Sequence, residues 1–176
     1  MSDQTRNIVE FTLIYNQHKT KLYNYARKMI YDRMVCEDII QNTFIKFFEN
    51  MEKIRNSESI QSWLFTTVRN HVFTYFRNKK IHVDQFYVDD ADEVDIKCDE
   101  NFSMDYERKE IRELINAELD KMALEQRDVF LLKEYGGFSY KEIASMMMID
   151  EGLVKSRLFK TRQRLIRKLS KVLQNY

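Results

Sequence analysis

The chain has 176 residues, with three glycines and no proline, where average usage would give about 21 of the two together. So few turn formers argue against β-sandwiches, β-barrels and glycine-rich phosphate loops, while 44% hydrophobic and 32% charged residues supply a core and a solvated surface. The net charge of +1 conceals a segregation: Trp63–His82 holds four bases and no acid, Asp84–Glu110 holds 11 acids against three bases, and Gly152–Tyr176 holds eight bases and no acid. Two basic stretches around an acidic middle suggest two sites for a polyanion.

No apolar run approaches the roughly 18 residues of a membrane span, and the polar start Met1-Ser-Asp-Gln-Thr-Arg-Asn7 does not read as a signal peptide. The two cysteines, Cys36 and Cys98, make neither a disulfide framework nor a repeated CxxC. A cytoplasmic setting without membrane insertion is therefore expected.

Helical periodicity dominates from the start. Ile8, Phe11, Tyr15, Leu22, Tyr25, Ala26 and Met29 fall at intervals of three, four or seven, and Ile40, Phe44, Phe47 and Met51 repeat the pattern. A third stripe, Ile60, Leu64, Thr67, His71 and Tyr75, follows Ser57 and Ser59, either of which can cap its helix. Three such helices form one small bundle over about residues 7–80. Beside the third stripe stand Arg69, Phe73, Phe76, Arg77 and Lys80. Exposed aromatics among bases suit unstacked nucleobases, but spacing alone favours Phe73, Phe76 and Trp63 as core.

From about residue 83 to 107 the helical period fades and acids crowd together, as in Asp89-Asp90-Ala-Asp-Glu-Val-Asp95. Such a run repels itself when packed, so a flexible linker and a domain boundary are expected. A calcium loop would need a turn glycine and a spaced terminal Glu, both missing here.

Beyond it, Ile111, Leu114, Ile115, Leu119 and Met122 mark a fourth helix, and a fifth spans about Leu124–Tyr135 before Gly136-Gly137, a natural C-terminal cap. Ser139-Tyr-Lys-Glu142 is a capping box, opening a short helix with Ile143 and Ala144 inward. Asp150 can cap the last helix, whose apolar stripe is Val154, Leu158, Thr161, Leu165, Leu169 and Val172. Short capped helix, tight turn and second helix together read as a helix-turn-helix. Lys155, Phe159 and Arg162 share one solvent face of the last helix, with Arg157, Lys160, Arg164, Arg167 and Lys171 beside it. Bases at such positions neutralise phosphates, and the first turns can reach base edges in the major groove. A merely solvated amphipathic helix is the alternative, and the absence of any acid weighs against it.

Catalysis finds no support. His18, His71 and His82 lack metal-ligand spacing, and Cys98 among carboxylates is a poorly activated thiol. Neither a metal nor a cofactor is expected, and the chain does not read as an enzyme.

At this point the residues resemble a family. Cys36-Glu-Asp-Ile-Ile-Gln-Asn-Thr-Phe-Ile-Lys-Phe-Phe48, Ser62-Trp-Leu-Phe-Thr-Thr-Val-Arg-Asn70 and Tyr75-Phe-Arg77 are similar to region 2 of bacterial sigma factors. Gly137-Phe-Ser-Tyr-Lys-Glu-Ile-Ala144 followed by Val154-Lys-Ser-Arg-Leu158 resembles region 4. Both blocks in order, with no full domain between them, resemble the extracytoplasmic-function group. The resemblance implies an all-α protein of two small helical domains joined by the acidic linker, with region 2 over 1–82, the linker over 83–107 and region 4 over 108–176. It implies that core RNA polymerase, promoter DNA and an anti-sigma factor are the partners. Asp38, Gln41 and Asn42 would dock on the polymerase clamp. Arg69, Asn70, Thr74, Arg77 and Lys80 would meet the −10 element, with an extruded base held by a loop around Glu49–Ser59. Lys155, Ser156, Phe159 and Lys160 would read −35 base edges, with Arg157, Arg162 and Arg164 on phosphates. A stand-alone helix-turn-helix regulator and a nucleic-acid enzyme are the rival functions.

Three positions depart from the family pattern. Thr74 stands where many members have Asp, Asn42 where an acid is common, and Met148 at the usual glycine of the helix-turn-helix turn. If that backbone is left-handed, Met148 costs on the order of 1–2 kcal/mol.

Overall fold

The computed structural model describes residues 3–54, 57–83 and 105–173; Cys98 and most of the segment read as an acidic linker lie outside them. Seven helices and no strand occur among the described residues: α1 (Asp3–Met29), α2 (Arg33–Asn50), α3 (Ser57–Val83), α4 (Asp105–Asp120), α5 (Leu124–Glu134), α6 (Tyr140–Met147) and α7 (Glu151–Leu173). The all-α expectation holds.

Helices α1, α2 and α3 pack on one another, and α7 packs on α4, α5 and α6. Local chemistry sets the ends. Asp32 caps α2 by accepting from the Val35 N–H at 3.1 Å. The Ser139–Glu142 box at the start of α6 makes both of its bonds, at 3.2 and 2.7 Å. Asp150 accepts from the Gly152 N–H at 2.6 Å at the start of α7. Helix α5 stops where expected, with Gly137 at φ +71°, and a Cβ on Gly136 would lie 2.5 Å from the Phe138 ring. Met148 takes the left-handed conformation at φ 55°, ψ 43°. The turn keeps the backbone of its usual glycine, so the strain is real rather than relieved by reshaping.

Three apolar stripes differ from those read in the sequence; in α4 the difference is Ile111, which is exposed. Leu22, Tyr25, Ala26 and Met29 are buried as expected, but Ile8 and Tyr15 are exposed. Phe11 meets Phe48 at 5.2 Å and α2 ends two residues later, leaving the first turns of α1, Ile8 among them, with little to pack on, while Tyr15 keeps its ring on Phe44 at 4.7 Å. In α3 the fully buried residues are Leu64, Phe65, Val68 and Val72, whereas Thr67, His71 and Tyr75 are half-buried. The helix is buried on a second side because α6 also lies against it, and α5 against α1.

The core thus runs from the N-terminal helices into the C-terminal ones. The Phe65 ring lies 5.7 Å from Tyr25 and 5.0 Å from Phe138, both edge-to-face. Polar contacts accompany it: Gln61 Nε2 donates to the Gly136 carbonyl at 2.7 Å, and Lys28 Nζ donates to Asn116 Oδ1 at 2.7 Å.

Candidate nucleic-acid interface

The apolar stripe of α7 is seated on its neighbours: Val154, Leu158, Thr161 and Leu165 are buried, so the opposite face must point to solvent. Lys155, Ser156, Phe159, Lys160, Arg162 and Arg164 are exposed and Arg157 is half-buried. Phe159, an aromatic residue with 64% of its surface in water, joins Lys160, Gln163, Arg164 and Arg167 around one shallow groove. A large exposed ring inside a cationic groove is a costly surface unless something stacks on or packs against it.

The cations of this face are not equivalent. Lys155 pairs with Glu151 at 3.0 Å, Arg162 with Glu134 at 2.9 Å, and Arg164 and Lys168 with Glu118 at 3.3 and 3.6 Å. Glu134 also raises the affinity of the Arg162 guanidinium for its proton. The Glu118 carboxylate is closed off by Lys121, Arg164 and Lys168, and the Lys121 hydrogen bond holds it below the usual carboxylate range. Arg157, Lys160 and Arg167 have no acidic partner among the described residues. These three carry charge that is immediately available to a polyanion.

On α3, Asn70 and Arg77 are exposed and Thr74 is half-buried, its hydroxyl accepting from Arg77 Nη2 at 3.3 Å. Lys80 lies in the last turns of the helix, its side chain outside the described residues. Arg69 is not on the open surface with them. Its Nε donates to Asp128 Oδ2 at 2.6 Å, and its guanidinium carbon lies 4.3 Å from the Phe73 ring centroid. Asp128 is fully buried and also accepts from the Tyr25 hydroxyl at 2.7 Å. Burial pushes its carboxyl above the usual range, against the pull of Arg69. Sequence reading missed Asp128; the signal was an acid immediately before the apolar run Val129-Phe-Leu-Leu132.

Phe73, Phe76 and Trp63 pack against the core, as their spacing suggested. Asp38, Gln41 and Asn42 are exposed on α2, with the apolar Ile45 and Phe48 exposed beyond them. Part of the Glu49–Ser59 loop lies outside the described residues; Met51–Lys53 forms a short 3-10 turn. No cluster of potential metal ligands occurs among the described residues. Cys36 is buried, and burial pushes its thiol up to about 11, which leaves it protonated and inert. No described helix is long and apolar enough to cross a membrane.

Comparison with known proteins decides what this arrangement is. Sigma-70 region 2 matches residues 14–81 and Sigma-70 region 4 matches residues 112–165. The ECF RNA polymerase sigma factor SigL of Mycobacterium tuberculosis is 30% identical over 151 residues, covering 82% of this chain and 80% of that protein. This chain belongs to the ECF sigma factors. The sigma-H factor of Pseudomonas aeruginosa is 24% identical over 173 residues, covering 93% of this sigma factor and 88% of that one. Among solved structures, the sigma factor RpoE of Bartonella quintana, in complex with the anti-sigma factor NepR, shares the fold. Its TM-score is 0.70 at 24% identity, covering 92% of this chain and 94% of that one. CnrH, in complex with the cytosolic domain of CnrY, has a TM-score of 0.61 at 17% identity. As a sigma factor the chain directs promoter-specific transcription. A stand-alone helix-turn-helix regulator would account for residues 112–165 alone and leave the region 2 match over 14–81 without a purpose.

Proposed function

We propose that this sigma factor binds core RNA polymerase through region 2, opens the −10 element there, and reads the −35 element as duplex through α7. Residues 1–82 and 108–176 are the two working units. The observation that carries the reading is the acid-poor groove of α7, in which unpaired Lys160 and Arg167 flank an exposed Phe159 on a helix held by a capped turn. Lys155, Ser156, Phe159 and Lys160 lie on the first turns, where a helix entering the major groove meets base edges, and Arg157, Arg162 and Arg164 neutralise phosphates.

On α3, Asn70, Thr74, Arg77 and Lys80 contact the −10 strand, and Arg69 joins them only when its bond to Asp128 is given up. Flipping a base there costs a few kcal/mol, which the receiving pocket must offset. Asp38, Gln41 and Asn42 supply the polar part of the polymerase contact, with Ile45 and Phe48 the apolar part. No step in this function requires a cofactor, and an anti-sigma factor is a further partner.

Transcription in vitro with purified bacterial core polymerase on a genomic promoter library tests the reading. Discrete start sites that depend on this chain are expected. Asp38→Ala and Gln41→Ala should weaken polymerase binding without changing helical content. Unchanged affinity in both variants removes the polymerase-docking role from α2.

A further inference from the structure

The acid-free stretch of α7 is answered by carboxylates that lie outside it. Among the described residues these are Glu151 in its first turn, Glu134 on α5 and Glu118 on α4. The first two make ordinary surface pairs, with Glu151 and Glu134 keeping 46% and 42% of their side chains in water. Such pairs are screened by salt and contribute little. Glu118 differs on two counts. Its side chain is 3% exposed, and it meets two cations of α7 at once, Arg164 through Nε and Lys168 through Nζ. Lys121, just past the end of α4, meets the same carboxylate at 2.9 Å. A charge so well covered by protein acts on its neighbours with little screening.

The consequence is a division between residues that the sequence makes look alike. Arg167 and Lys168 are adjacent, yet Lys168 shares Glu118 while Arg167 has no acidic partner among the described residues. Arg164 lines the groove beside Lys160 and Arg167, with its Nε committed to Glu118. A cation adds to DNA affinity by displacing a condensed counterion from a phosphate. One already neutralised by a buried carboxylate must first give that carboxylate up. We propose that Glu118 is a specificity-determining residue of the DNA-binding helix: it withholds Arg164 and Lys168 from phosphates, leaving sequence-blind attraction to Arg157, Lys160 and Arg167. Arg164 then reaches a phosphate only on a duplex whose other contacts offset the loss of its Glu118 bond. That α7 meets DNA rests on the function proposed above; the withholding rests on the geometry of Glu118.

The test uses the full chain and a fluorescein-labelled duplex of mixed sequence, titrated at several salt concentrations. Glu118→Gln keeps the side-chain shape and removes the charge. Its affinity should exceed the native one at low salt, and its salt slope should steepen by about 0.9 for each cation released. With both released, the gain should shrink about tenfold between about 50 and 200 mM salt. Adding Lys168→Ala should remove about half of that steepening. Native affinity and slope in Glu118→Gln at native helical content overturn the proposal, and so does a loss of affinity. A second comparison leaves Glu118 in place and does not depend on the folding of that variant. Lys168→Ala should keep the native affinity and slope, whereas Arg167→Ala lowers the slope by about one. Equal losses from these two neighbours overturn the withholding while leaving α7 a DNA-binding helix. Binding that is independent of salt in the native chain and every variant removes the DNA-binding reading of α7, and this proposal with it.

Discussion

Met148 is a single residue at which local energetics and function pull apart. It is 93% exposed at φ 55°, so it packs on little and holds a conformation that costs an L-residue about 1–2 kcal/mol. Its N–H nonetheless donates to the Ser145 carbonyl and that of Ile149 to the Ala144 carbonyl, the bonds that end α6. Met148→Gly removes the strain and adds unfolded-state entropy, a net stabilisation of about 0.5–1 kcal/mol. The urea midpoint of the full chain should rise, and a fall would mean that the side chain contributes more than its exposure suggests. His18 offers a second handle. It is buried with Nδ1 unpaired, and burial followed by the Lys21 charge lowers its affinity for a proton; burial and Lys46 do the same to His71. The unfolded chain therefore takes up these protons first. Their contribution to stability is complete above the ordinary value of 6.5 and is lost as pH falls through the lower folded value. Unfolding titrations at stepped pH below 6.5 should show that slope, and His18→Leu should reduce it.

Along α7 the division between base readers and phosphate contacts becomes measurable. Lys160→Ala should cost about 1–3 kcal/mol on the preferred −35 duplex and less on a scrambled one. Arg167→Ala should weaken both alike and lower the salt slope by about one. Isotherms at several salt concentrations decide, and equal losses on both duplexes for both variants would remove the assignment of Lys160 to a base. The seat of α7 was legible in the sequence because its determinants are close in the chain: the Ser139–Glu142 box, Asp150, and the stripe from Val154 to Leu165 need no knowledge of distant residues. The burial pattern of α3 was not legible. Phe65 is covered by Phe138, and nothing within a helical turn of Phe65 announces a partner so far along the chain. For the same reason Arg69 read as a surface cation: the carboxylate that claims it lies in another helix.

At the scale of the molecule, the apolar stripes of 1–82 and 108–176 are each closed mostly by helices of the same unit. Expressed separately, each should give a helical circular dichroism spectrum under conditions where the whole chain is folded. A random-coil spectrum from either would mean one merged bundle. The contact that joins them is also late in the order of synthesis. Arg69 and Asp128 are 59 residues apart, and at about 5–20 residues per second the ribosome needs about 3–12 s to make the intervening chain. During that interval α1, α2 and α3 can assemble while the carboxylate that will occupy Arg69 does not yet exist. Every molecule therefore begins life with its guanidinium uncovered, and codon choice between residues 69 and 128 sets how long that first, unguarded state lasts.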